Sequence, residues 1–203
     1  MAKIRSICVF CGSGEGAAPI YADAARQLGK ALAKAGIRLV YGGGSVGLMG
    51  IAAQTAIDHG GKVTGIIPQF LQHRESMLDE VDKLIVTKDM HARKRLMFEH
   101  SDAFVALPGG VGTLEETVEQ LTWAQLGRHK KPIVLANIDG FWDPLIGLIA
   151  HMRSENFIRS EYEVNYLVAD EIDQVVGLTR NAVADLDQAE LDGPADDEPL
   201  RRM

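Results

Sequence analysis

Cysteine is scarce in this chain: 203 residues contain two, Cys8 and Cys11. A disulfide framework is thereby excluded, and a chain of this length buries roughly 70% of its unfolded surface and needs no such staple. The pair has C-x-x-C spacing, but a redox motif of that kind opens a helix. Here it falls on Ile4–Phe10, which reads as a strand, and residues three apart on a strand face opposite ways. Both are therefore read as buried, reduced thiols of a cytoplasmic protein. Long apolar runs are also missing. No stretch of ~18 apolar residues could span a membrane, and no N-terminal segment has a signal peptide's apolar core. The six histidines are scattered without H-E-x-x-H or finger-like spacing, so no protein-bound metal is expected. Positive charge is in deficit, with Lys+Arg 21 against Asp+Glu 28 and a net charge of -7. Such a chain is a poor non-specific nucleic-acid binder.

What remains is an ordinary globular composition, 46% hydrophobic and 24% charged, which excludes a mostly disordered chain. One domain is expected at this length. Short apolar runs alternate with amphipathic ones. Strands are read at Ile4–Phe10, Ile37–Tyr41, Val63–Ile67, Lys83–Thr87, Ala103–Leu107, Pro132–Ala136 and Tyr166–Val168. Helices are read at Pro19–Ala35, Leu48–His59, Met90–His100, Leu114–Leu126, Phe141–Ser154 and Ile172–Arg180, with Gln69–Glu80 a loop holding a short helix. This alternation predicts βαβ units: a three-layer α/β fold with a doubly wound, mainly parallel sheet and helices on both faces. Residues 1–182 form the expected domain. From 183 the chain turns acidic with Pro194 and Pro199, and 183–203 reads as a solvated, disordered tail.

Glycine is in excess, 21 residues, and it clusters. Gly12-Ser13-Gly14-Glu15-Gly16, Gly42-Gly43-Gly44 through Gly50, and Gly109-Gly110-Val111-Gly112 each follow a strand and precede a helix. In a parallel sheet all three stand at the strands' carboxyl ends, where such folds bind ligands. Glycine lets the backbone approach a phosphate, and the helix N-terminus behind favours an anion. Any one cluster could be a tight turn; three on one edge point to a phosphate-bearing ligand. None fits G-x-G-x-x-G with an acidic residue ending the second strand, and there is no G-x-x-x-x-G-K-[ST]. A mononucleotide or sugar phosphate is favoured over NAD or ATP.

Two charged sites stand near that edge. Asp89 is a plausible N-cap for a helix whose Met90, Arg93, Lys94 and Met97 share one face. Cations on its first turn lie on the positive end of the dipole, which a bound anion would relieve, unless their stems simply reach out to solvent. In the next helix, Leu114, Val118, Leu121 and Ala124 form the expected apolar stripe. Thr113 and Glu116 have capping-box spacing. A carboxylate there could also stabilise an oxocarbenium ion or orient a water.

Pro108-Gly109-Gly110-Val111-Gly112-Thr113-Leu114-Glu115-Glu116 resembles the P-G-G-x-G-T-x-x-E motif of the "lonely guy" family, the cytokinin riboside 5′-monophosphate phosphoribohydrolases. Phe10–Ser13, Tyr41–Gly44, Gly47–Gly50, Met90–Lys94 and Thr122–Gly127 look like that family too, so the resemblance runs over about residues 4–160. It implies a Rossmann-like fold and hydrolysis of the N-glycosidic bond of adenosine 5′-monophosphates, without a cofactor. It implies Arg93 and Glu116 as the catalytic pair. Ser13, Gly43, Gly44, Met90, Lys94, Gly109, Gly110, Gly112 and Thr113 would hold substrate and phosphate. The partners implied are a small nucleotide substrate and a second copy of the chain, the site lying at a dimer interface. Trp123, beside the apolar stripe, is the candidate interface residue. No nucleic acid or membrane partner is expected. Two rival readings are a non-catalytic nucleotide or molybdenum-cofactor carrier on the same fold, and a pyridoxal-phosphate lysine decarboxylase.

Overall fold

The computed structural model describes residues 2–72, 78, 80–159 and 161–193. Seven strands make one parallel sheet: β1 (Ser6–Phe10), β2 (Arg38–Tyr41), β3 (Val63–Pro68), β4 (Lys83–Thr87), β5 (Ala103–Ala106), β6 (Ile133–Ala136) and β7 (Leu167–Ala169), in the order β4-β3-β2-β1-β5-β6-β7. The eight α-helices among the described residues are α1 (Pro19–Ala35), α2 (Gly47–Asp58), α3 (Gln69–Gln72), α4 (Met90–Glu99), α5 (Val111–Gln125), α6 (Asp143–Ser154), α7 (Asp173–Ala182) and α8 (Gln188–Asp192).

Both faces of the sheet are covered, so the central strands are apolar throughout. Side chains alternate along β1: Ile7, Val9 and the following Cys11 join one core with Leu28 and Leu32 of α1, Ala52 of α2 and Val175 of α7. Cys8 and Phe10 join the other core, with Met97 of α4, Leu121 of α5 and Ile149 of α6. Cys8 and Cys11 are free and buried in opposite layers, as residues three apart on a strand must be. Burial pushes both thiols up, away from the reactive thiolate.

The helices start and stop for local reasons. Pro19 fits the first turn of α1 and Gly36, at φ 68°, ends it in the left-handed conformation. Its buried face is Ala22, Ala24, Ala25, Leu28, Gly29 and Leu32, while Ile20 is 45% exposed. Apolar spacing alone predicts a stripe on Ile20, Ala24, Leu28, Ala31 and Ala35; of these Ala24 and Leu28 are buried and Ile20 is not. Gly29 matters because a side chain there would strike the backbone of α2 at Ala52.

The disordered tail is corrected over 183–193. Val183 and Leu191 are buried, and Ala2 N donates to Leu186 O at 2.7 Å while Lys130 N donates to Leu191 O at 3.1 Å. Asp187 and Glu190 form a capping box that starts α8. Acidic composition described the helix's outer face and hid the one leucine that docks it. Residues 194–203 lie outside the described part. No helix among the described residues is long and apolar enough to cross a membrane.

Candidate active site

β1 has β2 on one side and β5 on the other, so strand order reverses between β1 and β5, and a crevice opens beyond their carboxyl ends. The chain fills that edge with glycine because the loops touch one another. Gly12 N donates to Pro108 O at 3.1 Å, and Leu48 N to Gly12 O at 3.1 Å. A side chain at Gly109 would meet Thr113 and the Gly12 backbone, and one at Gly47, at φ 60°, would strike Ser13. Three loops from distant parts of the chain are thus locked into one floor.

Above it lies a cavity of about 260 Å³, lined among others by Gly12, Ser13, Gly14, Gly109, Gly110 and the aromatic pair Tyr21 and Phe141. The two rings meet edge to face at 5.8 Å. Gly110 is the N-cap of α5, so that helix's positive end opens on the cavity, and the N–H groups of its first turn have no acceptor within the helix. The sequence reading missed Tyr21 and Phe141. Tyr21 follows the first glycine loop by five residues, which was the available signal; Phe141 comes from after β6, and only the fold brings it there.

On the same sheet edge, but outside the residues that line this cavity, α4 and α5 meet through charge. Arg93 Nη2 stands 3.2 Å from Glu116 Oε1, with 11% and 14% of the side chains exposed. Arg93 lies over Gly42, where a side chain would strike its guanidinium. Its Nη1 reaches Met90 Sδ at 3.5 Å, and its buried Nε has no partner among the described residues. Burial pushes the Glu116 carboxyl up from the ordinary carboxylate range, and the adjacent guanidinium pulls it partly back. A buried acid held against one cation, with unused donors at hand, suits charge stabilisation at a reacting carbon.

The other expected residues divide. Ser13, Gly109 and Gly110 line the cavity. Gly43, at φ 84° and against Ile67, belongs to the loop beneath Arg93, with Gly44. Gly112 is in the first turn of α5. Thr113 is 4% exposed, tucked beneath Gly109. It is not an N-cap: α5 begins at Val111 after Gly110, three residues earlier than expected. The capping box is corrected accordingly, and Glu116 faces Arg93. Lys94 lines no part of the cavity. Its Nζ lies 2.6 Å from Glu115 and 2.8 Å from Glu119, which occupies the charge expected for phosphate. The stripe of α5 is also corrected: Thr113, Thr117, Gln120 and Leu121 are buried, whereas Val111, Leu114 and Val118 are 83%, 37% and 41% exposed. Of the expected stripe, Leu121 and Ala124 do pack on the core, whereas Leu114 and Val118 face outward. Trp123 is half-buried, edge to face on Phe98 at 5.3 Å.

Residues 49–178 match a family model described as "Possible lysine decarboxylase". The chain is 52% identical over 159 residues to the probable cytokinin riboside 5′-monophosphate phosphoribohydrolase LOGL1 of Oryza sativa subsp. japonica, covering 78% of this chain and 71% of that protein. The chain belongs to the LOG family. A second LOG relative, cytokinin riboside 5′-monophosphate phosphoribohydrolase LOG3 of Arabidopsis thaliana, is 52% identical over 156 residues, covering 77% and 73%. Among solved structures, the molybdenum cofactor binding protein of Rippkaea orientalis shares the fold with a TM-score of 0.67 and 29% identity over 90% of this chain and 99% of that one. The molybdenum cofactor carrier protein of Chlamydomonas reinhardtii does so with 0.69 and 25%, over 90% and 99%. The LOG relatives are thus far closer in sequence than the cofactor carriers.

Proposed function

We propose that this LOG-family chain hydrolyses the N-glycosidic bond of adenosine 5′-monophosphates, N6-prenylated or plain, to free base and ribose 5-phosphate. The observation that carries the reading is the buried Arg93–Glu116 pair, set on the same sheet edge as a glycine-floored cavity at the positive end of α5. The 5′-phosphate sits on backbone N–H groups of Gly109, Gly110 and the first turn of α5, with Ser13 at the rim. The ribose then extends toward Glu116. As the C1′–N9 bond breaks, its electron pair leaves with the base, which takes up a proton, and water adds at C1′. Glu116 offsets the positive charge that develops at C1′ or orients that water. Arg93 hydrogen-bonds the ribose or the departing base and keeps Glu116 ionised. Met90, Gly43 and Gly44 support the arginine rather than the phosphate.

The working unit is a homodimer. Val111, Leu114 and Val118 form an exposed apolar strip on α5 next to the site, a strip that a second copy would cover. Two buried free thiols suit a cytoplasmic setting.

The decarboxylase description fits poorly. Pyridoxal-phosphate chemistry needs a lysine to form a Schiff base; no lysine is in the cavity wall, and Lys94 is held by two carboxylates. The fold shared with molybdenum-cofactor carriers leaves one alternative, a nucleotide-like ligand held without turnover. Incubation with AMP, isopentenyl-AMP and adenosine, with chromatography for free base, decides. Base release from the monophosphates and not from adenosine is expected, because the phosphate anchor supplies transition-state binding. A stable complex without turnover, or equal rates on adenosine, would sink the reading.

A further inference from the structure

α5 presents three carboxylates within five residues, Glu115, Glu116 and Glu119, on the side that meets α4. Opposite them α4 presents two cations in succession, Arg93 and Lys94. The structure sorts these five groups into two sets. Arg93 takes Glu116 alone, at 3.2 Å. Lys94 takes both others, at 2.6 Å and 2.8 Å, with only 13% of its side chain exposed. Both bonds to Lys94 are short and charge-assisted. A guanidinium has five donors and would readily accept a second carboxylate. Something must therefore hold Glu115 and Glu119 away from it.

We propose that Lys94 is a positioning residue of the active site: by binding Glu115 and Glu119 it reserves Arg93 for Glu116 and neutralises the acidic side of α5 beside an anionic substrate. This rests on the hydrolase reading, and it departs from the phosphate-binding role that resemblance implies for Lys94.

The electrostatics agree with the geometry. The groups facing Glu116 are Arg93 and Lys94 from α4, Glu115 and Glu119 from its own helix, and the thiols of Cys8 on β1 and Cys11 just beyond it. After burial, the two cations favour the ionised carboxylate and the two glutamates oppose it. The thiols are held protonated by burial. Without Lys94 the glutamates act unopposed except by Arg93.

Steady-state base release from AMP across pH, paired with thermal unfolding, tests this on wild type, Lys94→Met, Lys94→Arg and the triple variant Lys94→Met/Glu115→Gln/Glu119→Gln. Lys94→Met should lose about tenfold or more in kcat near neutral pH with KM for AMP within about threefold. The acid limb of its kcat profile should move up by about half a pH unit or more. Lys94→Arg should keep most of kcat, and the triple variant should recover most of it and restore the acid limb, because the unwanted carboxylates are gone. A large rise in KM with kcat intact would make Lys94 a phosphate ligand and overturn the proposal, as would a triple variant no better than Lys94→Met. Should Lys94→Met fail to fold, the triple variant alone decides: near wild-type kcat supports the proposal, and a tenfold loss overturns it. Absence of base release from wild type is a separate outcome that removes the hydrolase reading itself.

Discussion

The guanidinium of Arg93 occupies the space that a side chain at residue 42 would fill. Gly42 is therefore a glycine that makes room for the Arg93–Glu116 pair. Its φ is not among the left-handed ones, so alanine can adopt the backbone, and the atoms in its way are the far end of a flexible side chain. Gly42→Ala should fold with a melting temperature close to wild type yet lose at least ~10-fold in base release as Arg93 shifts off Glu116. Unchanged turnover would show that the position of Arg93 is not critical.

Glu116→Gln separates charge from shape. Because Glu116 caps nothing, the amide should leave α5 intact while removing the negative charge. Turnover should fall by ~10²-fold or more, with the melting temperature nearly constant. Free base and thermal unfolding should be measured on one preparation; near wild-type base release from the folded variant would end the catalytic assignment.

Placing charge on the exposed strip of α5 tests the dimer. Val118→Asp, chosen because it stands two turns from the glycine loop, should shift the solution mass toward the 22.1 kDa of one chain as read by light scattering. Like charges facing across a two-fold interface oppose association. A wild-type mass already at the monomer value would exclude the dimer.

Removing residues 187–203 should destabilise the protein, since Leu191 is fully buried and Asp192 lies 3.8 Å from the buried Lys131. Burial of one leucine contributes about 1.5–3 kcal/mol, worth roughly 3–12 °C at ~2–4 °C per kcal/mol for a chain of this size. An unchanged melting temperature would mean that α8 does not dock in solution.

His129 should make stability depend on acid. It is 2% exposed, its Nδ1 accepts from Lys131 N at 3.1 Å, and burial, with Lys131 nearby, pushes it down from 6.5 to about 4. A depressed histidine stays neutral in the fold while the unfolded chain takes up the proton. Stability is thus full above pH 6.5 and falls as the pH drops toward 4, by up to ~1.4 kcal/mol per unit. His129→Gln, which keeps an acceptor, should flatten that slope in melting curves between pH 7 and 4. An identical slope would place the acid sensitivity elsewhere.

The alternation of apolar and amphipathic segments determined the parallel α/β sheet, and the three glycine clusters and the P-G-G-x-G-T-x-x-E stretch marked its working edge. These are local signals, carried by periodicity and by residues that few backbones can do without. Which side of α5 is buried, where that helix starts, and the docking of α8 through Leu191 were decided by tertiary packing. There, burial of Thr117 and Gln120 beside Leu121 outweighed the apolar character of Leu114 and Val118. The same holds for charge. Arg93, Lys94, Glu115, Glu116 and Glu119 are all visible in the sequence, but nothing local says that Arg93 pairs with Glu116 and Lys94 with the other two. That choice depends on how α4 and α5 lie against each other, because an ion pair between residues some twenty positions apart is chosen by distance and desolvation, and both exist only once the chain has folded.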